Sequence, residues 1–392
     1  MSSIFRQAKR LEPIESGVFD EMNRIKREVE DSGIEVINLG IGSPDQPPAK
    51  HVVDTLKAEL DIRENYDYAT SAGLIELRTA IAGWYLKRFG VRLDPETEVL
   101  TLMGSHDGLG HIFFALLNPG DVSLIPDPHY PVYKVGAQLA ESDIHIMPLL
   151  AENGYLADFD SIPAETADKA KIMVLNYPNN PVTAVADIDF FERAVGFAGE
   201  HGILLCHDAA YTELAYGGIR PPSVLQVEGA KECAVEFHSV SKTYNIAGCR
   251  LGFLVGNKDV ISIMARLKSN LDYGVFKAIQ KAGIAALNGP QEIIDQNVAV
   301  YKKRALTFLE GVRQAGWEIQ EPPATMFLWA KVPEGTRSKD FAIELLRKTG
   351  VLLIPGDAFG VYGEGYVRIA LVKPEDKLIE SVARIRSAGM FF

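Results

Sequence analysis

The sequence predicts an α/β protein: a mainly parallel sheet in a large domain, with a smaller α+β domain on the C-terminal side. Two observations lead there. Apolar, β-rich runs recur through the middle of the chain with helical patterns between most of them, and after about residue 255 long helices and shorter strands take over. The runs are EVLTLM (98–103), DVSLIP (121–126), IHIMPL (144–149), KIMVLN (171–176), GILLCH (202–207) and AVEFHSV (234–240). Apolar runs bounded by turns and separated by helices suit strands covered on both faces.

Helix periodicity marks LIELRTAIAGWYLKRFG (74–90), GLGHIFFALL (108–117) and FFERAVGFAGEH (190–201). KDVISIMARLKSNL (258–271) then opens a long helical region that continues through QEIIDQNVAVYKKRALTFLEGVRQAG (291–316). Strands follow at MFLWAKV (326–332) and GYVRIAL (365–371), with helices at SKDFAIELLRKTG (338–350) and EDKLIESVARIRSAG (375–389). A chain of 392 residues exceeds what one core usually covers. The expected division is an N-terminal arm contributing to the small domain (1–47), a large domain (48–285) and a small C-terminal domain (286–392).

The formal charge of −12 gives no general attraction for nucleic acid or anionic membrane, so an anionic ligand needs a local cationic site. Cys206, Cys233 and Cys249 cannot pair completely and show no metal-ligand spacing, so no metal is expected and a reducing cytoplasm fits. The first residues, MSSIFRQAKRLEPIESG, lack the apolar core of a secretory signal, and no stretch has the length of a membrane span.

In a parallel sheet, ligands collect beyond the carboxyl ends of the strands. Five runs end there in polar groups: Ser105, His106 and Asp107 after Gly104; Tyr130 and Tyr133 in DPHYPVY; Asn176, Asn179 and Asn180 in NYPNNP; Asp208, followed by Tyr211; and Ser239, Ser241 and Lys242. Singly, each has a structural explanation, such as a turn, a cap or packing. Together they point to chemistry. A partly desolvated lysine becomes a nucleophile. Serines at a helix start, with Arg250 eight residues beyond Lys242, suit a phosphate dianion. A carboxylate keeps a ring nitrogen protonated, and tyrosine offers a flat face to a ring. A phosphate, an aldehyde held by lysine and a cationic pyridine describe pyridoxal 5′-phosphate.

The stretches INLGIGSPD, YDYATSAGLIELRTAI, GSHDGL, PDPHYPVY, NYPNNPV, HDAAY, SVSKTYNIAGCRLGF, DYGVFKAIQKAGIAAL and GYVRIAL resemble, as a set, the fold-type I, class I and II pyridoxal-phosphate aminotransferases. The resemblance covers nearly the whole chain and is nearest the branch of alanine (glutamate–pyruvate) and LL-diaminopimelate aminotransferases. It implies a mainly parallel seven-stranded sheet and a ping-pong transfer between an amino acid and a 2-oxo acid, 2-oxoglutarate or pyruvate. It also implies roles. Lys242 carries the cofactor and moves the proton, and Asp208 pairs with the pyridine nitrogen. Tyr211 and Asn180 bond the ring hydroxyl, and Tyr130 stacks on the ring. Ser105, His106, Ser239, Ser241 and Arg250 surround the phosphate, while Tyr68 reaches the phosphate of a neighbouring subunit in a homodimer. Arg368 binds the substrate α-carboxylate, with Asn180 and the Gly42 backbone beside it. Without the resemblance, Arg368 reads as a surface arginine.

Three departures bear on the substrate. The family's Asn-Pro-Thr-Gly is here Asn180-Pro181-Val182-Thr183, His106 stands where the branch has lysine, and Gly17 precedes Val18-Phe19 where diaminopimelate enzymes place an aromatic. Two of these remove diaminopimelate contacts, which favours alanine or glutamate as donor over LL-diaminopimelate or aspartate. A carbon–sulfur β-lyase is the rival reaction. His207 and His238 are expected to point away from the site by strand alternation, and Cys249 to be a small packed residue.

Overall fold

In the computed structural model, which describes residues 5–14 and 18–390, seven strands form the main sheet. Their spatial order is Val99–Leu102, Gly252–Gly256, Ala234–Ser239, Leu204–Asp208, Ala170–Asn176, Val122–Asp127 and Asp143–Pro148. Every pairing is parallel except the two made by Gly252–Gly256, which runs antiparallel to both neighbours. All six apolar runs form strands. The seventh strand escapes a reading of apolar runs because only Phe253, Leu254 and Val255 lie between its end glycines. Gly252 has a packing reason: a Cβ there would stand 2.6 Å from the Ser105 amide nitrogen and 2.8 Å from the His238 carbonyl oxygen.

Successive residues of the central strands enter different cores, as the two-residue period of a strand requires. Met173, Leu175 and Leu205 pack with Ile81 and Tyr85 of the helix Ile75–Phe89 and with Phe190 and Ala194 of the helix Ile188–His201. Ile172, Val174 and Cys206 pack with Ile112 and Phe113 of the helix Ser105–Leu116 and with Val132 of the helix Val132–Leu139. Helices cover both faces of the sheet, so its strands carry apolar residues on both sides.

The long helical region resolves into three helices, Lys258–Leu271, Lys277–Leu287 and Gln291–Arg313. The first is capped by the Asn257 side chain, which accepts from the amides of Asp259 and Val260, each at 3.1 Å. Beyond them, Phe327–Lys331, Tyr366–Ala370 and Ile354–Pro355 form a three-stranded antiparallel sheet. Ile37–Asn38 pairs in parallel with Val351–Leu352, which stitches the N-terminal segment beside the C-terminal one. At the end of its strand, the Asp127 carboxylate accepts from the amides of Val361 and Tyr362 at 3.0 Å each. Gly360 lies at φ 127° against that carboxylate, so the glycine-rich GDAFGVYGEG stretch serves a close backbone approach. Among the described residues, no helix is long and apolar enough to cross a membrane.

Candidate active site

The parallel strands deliver their carboxyl ends to one side of the sheet, and a cleft of about 400 Å³ opens there. Lys242 belongs to the short helix Val240–Thr243, whose start is capped by Ser239 Oγ accepting from the Ser241 amide at 3.2 Å. From there Lys242 Nζ donates to the Gly42 carbonyl at 2.8 Å, on the N-terminal segment that crosses the cleft. Burial first, and then the charges of Arg368 and Arg250, lower its pKa from 10.5 to about 8, against an opposing pull from Asp208. At that value an appreciable fraction of the amine is free and nucleophilic at neutral pH.

Asp208 ends the strand Leu204–Asp208 and is 4% exposed. Burial raises its pKa, while the Tyr133 hydroxyl and the Ala210 amide oppose that rise by donating to it. The Asn176 side chain accepts from the Asn180 amide at 2.8 Å and donates to the Asp208 carbonyl at 2.7 Å, joining two neighbouring strand ends. Asn180 Oδ1 in turn accepts from Arg368 Nη1 at 2.8 Å. Tyr211 is buried, with its ring edge-on to Phe327.

Arg368 corrects the surface reading: it is 4% exposed, with its guanidinium 4.4 Å from the Phe327 ring centroid and 4.6 Å from that of Phe359. Its Nη2 donates to the Gly40 carbonyl at 2.7 Å, and its Nε is buried without a partner. The strand alone gives no reason to bury a cation. That reason is the facing aromatic pair and the carbonyl across the cleft.

Ser105 opens the helix Ser105–Leu116, and Ser105, Ser239, Ser241 and Arg250 all line the cleft. Arg250 adopts a left-handed conformation, φ 50°, and its guanidinium lies where Gly104 has no side chain; a Cβ there would stand 2.7 Å from Nη2. Ser241 Oγ is buried without a partner. His106 stands at the edge, 3.1 Å from the Tyr130 hydroxyl, and burial followed by the Arg250 charge lowers its pKa, leaving it neutral near pH 7. Tyr130 also lines the cleft, whereas Tyr68 is 92% exposed and packs beside the Tyr273 ring, 5.7 Å away.

Phe19, Ile41 and Phe327 also line the cleft without having been singled out as ligand groups. Gly17 lies outside the described residues. His207 and His238 share the buried Glu236, whose Oε2 is 2.9 Å from His207 Nδ1 and whose Oε1 is 2.7 Å from His238 Nε2. Cys249 is free and partly buried. Asp107, His111 and Asp272 bring possible metal-ligand atoms within 4.8 Å of one another, but the Lys268 ammonium, 2.6 Å from Asp272 and 3.6 Å from Asp107, already pairs with both carboxylates.

The donor set fits pyridoxal phosphate. An amine of lowered pKa, a buried carboxylate, an orphaned serine hydroxyl, a helix start and a guanidinium held over a glycine converge on one cleft. The aminotransferase class I and II family model matches residues 34–385. LL-diaminopimelate aminotransferases from Syntrophobacter fumaroxidans and Moorella thermoacetica are each 47% identical, over 97% of this chain and 98% of theirs. Among solved structures, substrate-bound BacF from Bacillus subtilis superposes with a TM-score of 0.95 at 36% identity, covering 99% of each chain. A probable N-succinyldiaminopimelate aminotransferase from Thermus thermophilus gives 0.90 at 39% identity, over 95% of this chain and 100% of that one. With a family match spanning most of its length, and a cleft whose groups suit the cofactor, the chain belongs to the class I and II aminotransferases, pyridoxal-phosphate-dependent enzymes of fold type I.

Proposed function

We propose that this aminotransferase takes LL-diaminopimelate as its amino donor and passes the amino group to a 2-oxo acid such as 2-oxoglutarate. The observation that carries this reading is the set of LL-diaminopimelate aminotransferases that match at 44–47% identity over at least 96% of the chain. It takes precedence over the alanine or glutamate ranking, which rested on His106 and Gly17. One observation keeps that second reading in view. A neutral His106 brings no charge to the mouth of the cleft, and Arg250 and Arg368 are engaged in phosphate and α-carboxylate roles. The far end of a long substrate is then met by neutral groups such as Phe19 and Ile41, or by the neighbouring subunit.

When bound, pyridoxal phosphate supplies an aldehyde and a protonated ring that draws electron density from the substrate α-carbon. The residues of this chain do the rest. Lys242 Nζ would hold the cofactor, and the same nitrogen, when free, would take the substrate α-proton and pass it to the cofactor's former aldehyde carbon. Asp208 stays anionic beside the ring nitrogen. Tyr211 and Asn180 bond the ring hydroxyl, and Tyr130 covers the ring face. Ser105, His106, Ser239, Ser241 and Arg250 hold the phosphate. Arg368 grips the α-carboxylate, with its unpartnered Nε and one Nη as the donor pair, beside Gly42 and Asn180.

Tyr68 is read as reaching the phosphate of the neighbouring subunit in a homodimer, which its exposure in the single chain supports. A cytoplasmic setting agrees with three free cysteines. The division at residues 47/48 and 285/286 is kept as the proposed domain plan.

The test is a half-reaction screen of the purified holoenzyme, following the cofactor aldehyde absorbance. LL-diaminopimelate should give the largest rate per unit concentration. A clear preference for alanine or glutamate refutes the substrate reading. Ammonia and pyruvate released from a thioether amino acid would instead identify the β-lyase.

A further inference from the structure

We propose that Tyr133 is a positioning residue for Asp208: its hydroxyl orients that carboxylate and keeps it anionic, and so sets how firmly the cofactor's ring nitrogen is held protonated. This inference rests on the reading above that Asp208 pairs with the ring nitrogen.

Tyr133 Oη donates to Asp208 Oδ2 at 2.6 Å, and the Ala210 amide donates to Oδ1 at 3.2 Å. Each carboxylate oxygen thus has one fixed donor on the protein side, while Asp208 itself lines the cleft. Tyr133 is fully buried and is not among the residues lining the cleft, so it reaches a ligand only through Asp208.

The local sequence explains the placement. After the strand Val122–Asp127, the turn HYPVY leads into the helix Val132–Leu139, and the Tyr133 amide donates to the Tyr130 carbonyl at 3.1 Å. This turn puts Tyr130 on the cleft and Tyr133 behind it, with ring centroids 6.0 Å apart and planes 75° apart. One short segment therefore supplies both the ring that faces the cofactor and the donor beneath its nitrogen partner.

Chemically, a carboxylate as buried as Asp208 gains free energy by taking up a proton. Protonated, it would no longer be the anion that stabilises a pyridinium. A phenol donor opposes this, because it bonds the anionic form. Burial and the neighbouring Asp208 charge hold the Tyr133 phenol well above its usual range, so it remains a donor. The bland alternative is that Tyr133 only satisfies a buried acid. Its removal would then weaken every ligand of the cleft alike.

Tyr133→Phe keeps the ring and removes only the hydroxyl. Apoenzyme of wild type and variant is titrated calorimetrically with pyridoxamine 5′-phosphate and with its 1-deaza counterpart, in which CH replaces the ring nitrogen. Both probes bind without a covalent link to Lys242. Wild type should prefer the nitrogen-containing probe, and the variant should lose about ten-fold toward it, the weight of a hydrogen bond to a charged group, while binding the deaza probe as before. Equal losses toward both probes, or no loss toward either, overturn the proposal while leaving Asp208's own role standing. A wild type that does not distinguish the probes overturns the Asp208 reading, and the inference with it. Should the phenylalanine variant not fold, fluorotyrosine introduced only at position 133 replaces it. A more acidic phenol should raise the preference for the nitrogen-containing probe, and an unchanged preference overturns the proposal.

Discussion

Replacing Lys242 by methionine should stabilise the apoenzyme at neutral pH, although it removes the residue proposed to carry turnover. In the folded chain the pKa of Lys242 falls from 10.5 to about 8, chiefly through burial. At about 1.36 kcal/mol per factor of ten, that fall is worth about 3 kcal/mol. The sign follows from proton counting. Between the two values the unfolded chain binds more protons than the folded one, so wild-type stability rises with pH across that interval. Below about pH 8 the whole penalty is present, and above 10.5 it has gone. Methionine keeps the unbranched stem and carries no charge. The variant should therefore exceed wild type by up to about 3 kcal/mol at pH 7, less whatever the Nζ bond to the Gly42 carbonyl contributes, and the gap should close by pH 10.5. Urea unfolding of both apoproteins at fixed protein concentration measures it, since taking the difference cancels every other titrating group. A gap that stays constant across that pH range refutes the claim that this lysine is held partly discharged. The same fall raises the free-amine fraction at neutral pH by about 300-fold, so stability lost in the apoprotein reappears as nucleophilicity.

Gly252→Ala should destabilise the fold by about 1–3 kcal/mol or more, because the new Cβ meets the Ser105 amide and the His238 carbonyl, neither of which can swing away; an unchanged melting temperature would contradict that packing. Gly104→Ala pushes on the Arg250 guanidinium instead and should raise the Kd for pyridoxal phosphate with a smaller effect on stability, checked by calorimetry alongside a thermal melt. Arg368→Lys loses the planar fork and leaves Asn180 Oδ1 without its present donor, so kcat/KM should drop about 10–100-fold for every amino donor, as steady-state kinetics will show. Tyr68→Phe should leave stability within about 0.5 kcal/mol, since the residue is exposed in the single chain, yet weaken pyridoxal phosphate binding several-fold; an unchanged Kd removes Tyr68 from the site.

The contrast between Lys242 and Arg368 shows what a one-dimensional reading can reach. Lys242 is legible because it follows an apolar strand directly, and a strand end in a parallel sheet has a known side on which to look. The same rule reaches Asp208, Asn180 and Ser105, whose clustering needs only the strand runs and their order. Arg368 is invisible to it. Its strand belongs to a second, antiparallel sheet, and what buries it are Phe327, Phe359 and the Gly40 carbonyl, separated from it by up to 328 residues in sequence. Only family resemblance singled it out, and the geometry then supplied the physical reason. Tyr133 is a subtler case. It stands three residues from Tyr130, close enough to be noticed, but its hydroxyl matters through a bond to Asp208, 75 residues away, that no local pattern encodes. The strand Gly252–Gly256 fails for a third reason. Its end glycines weaken the apolar signal because Gly252 is needed for close approach to the Ser105 amide and Gly256 for close approach to the Ala234 carbonyl. In each instance what escaped notice is a requirement set by a distant partner. The residues hardest to read from sequence are therefore those whose chemistry depends on how two separate elements meet.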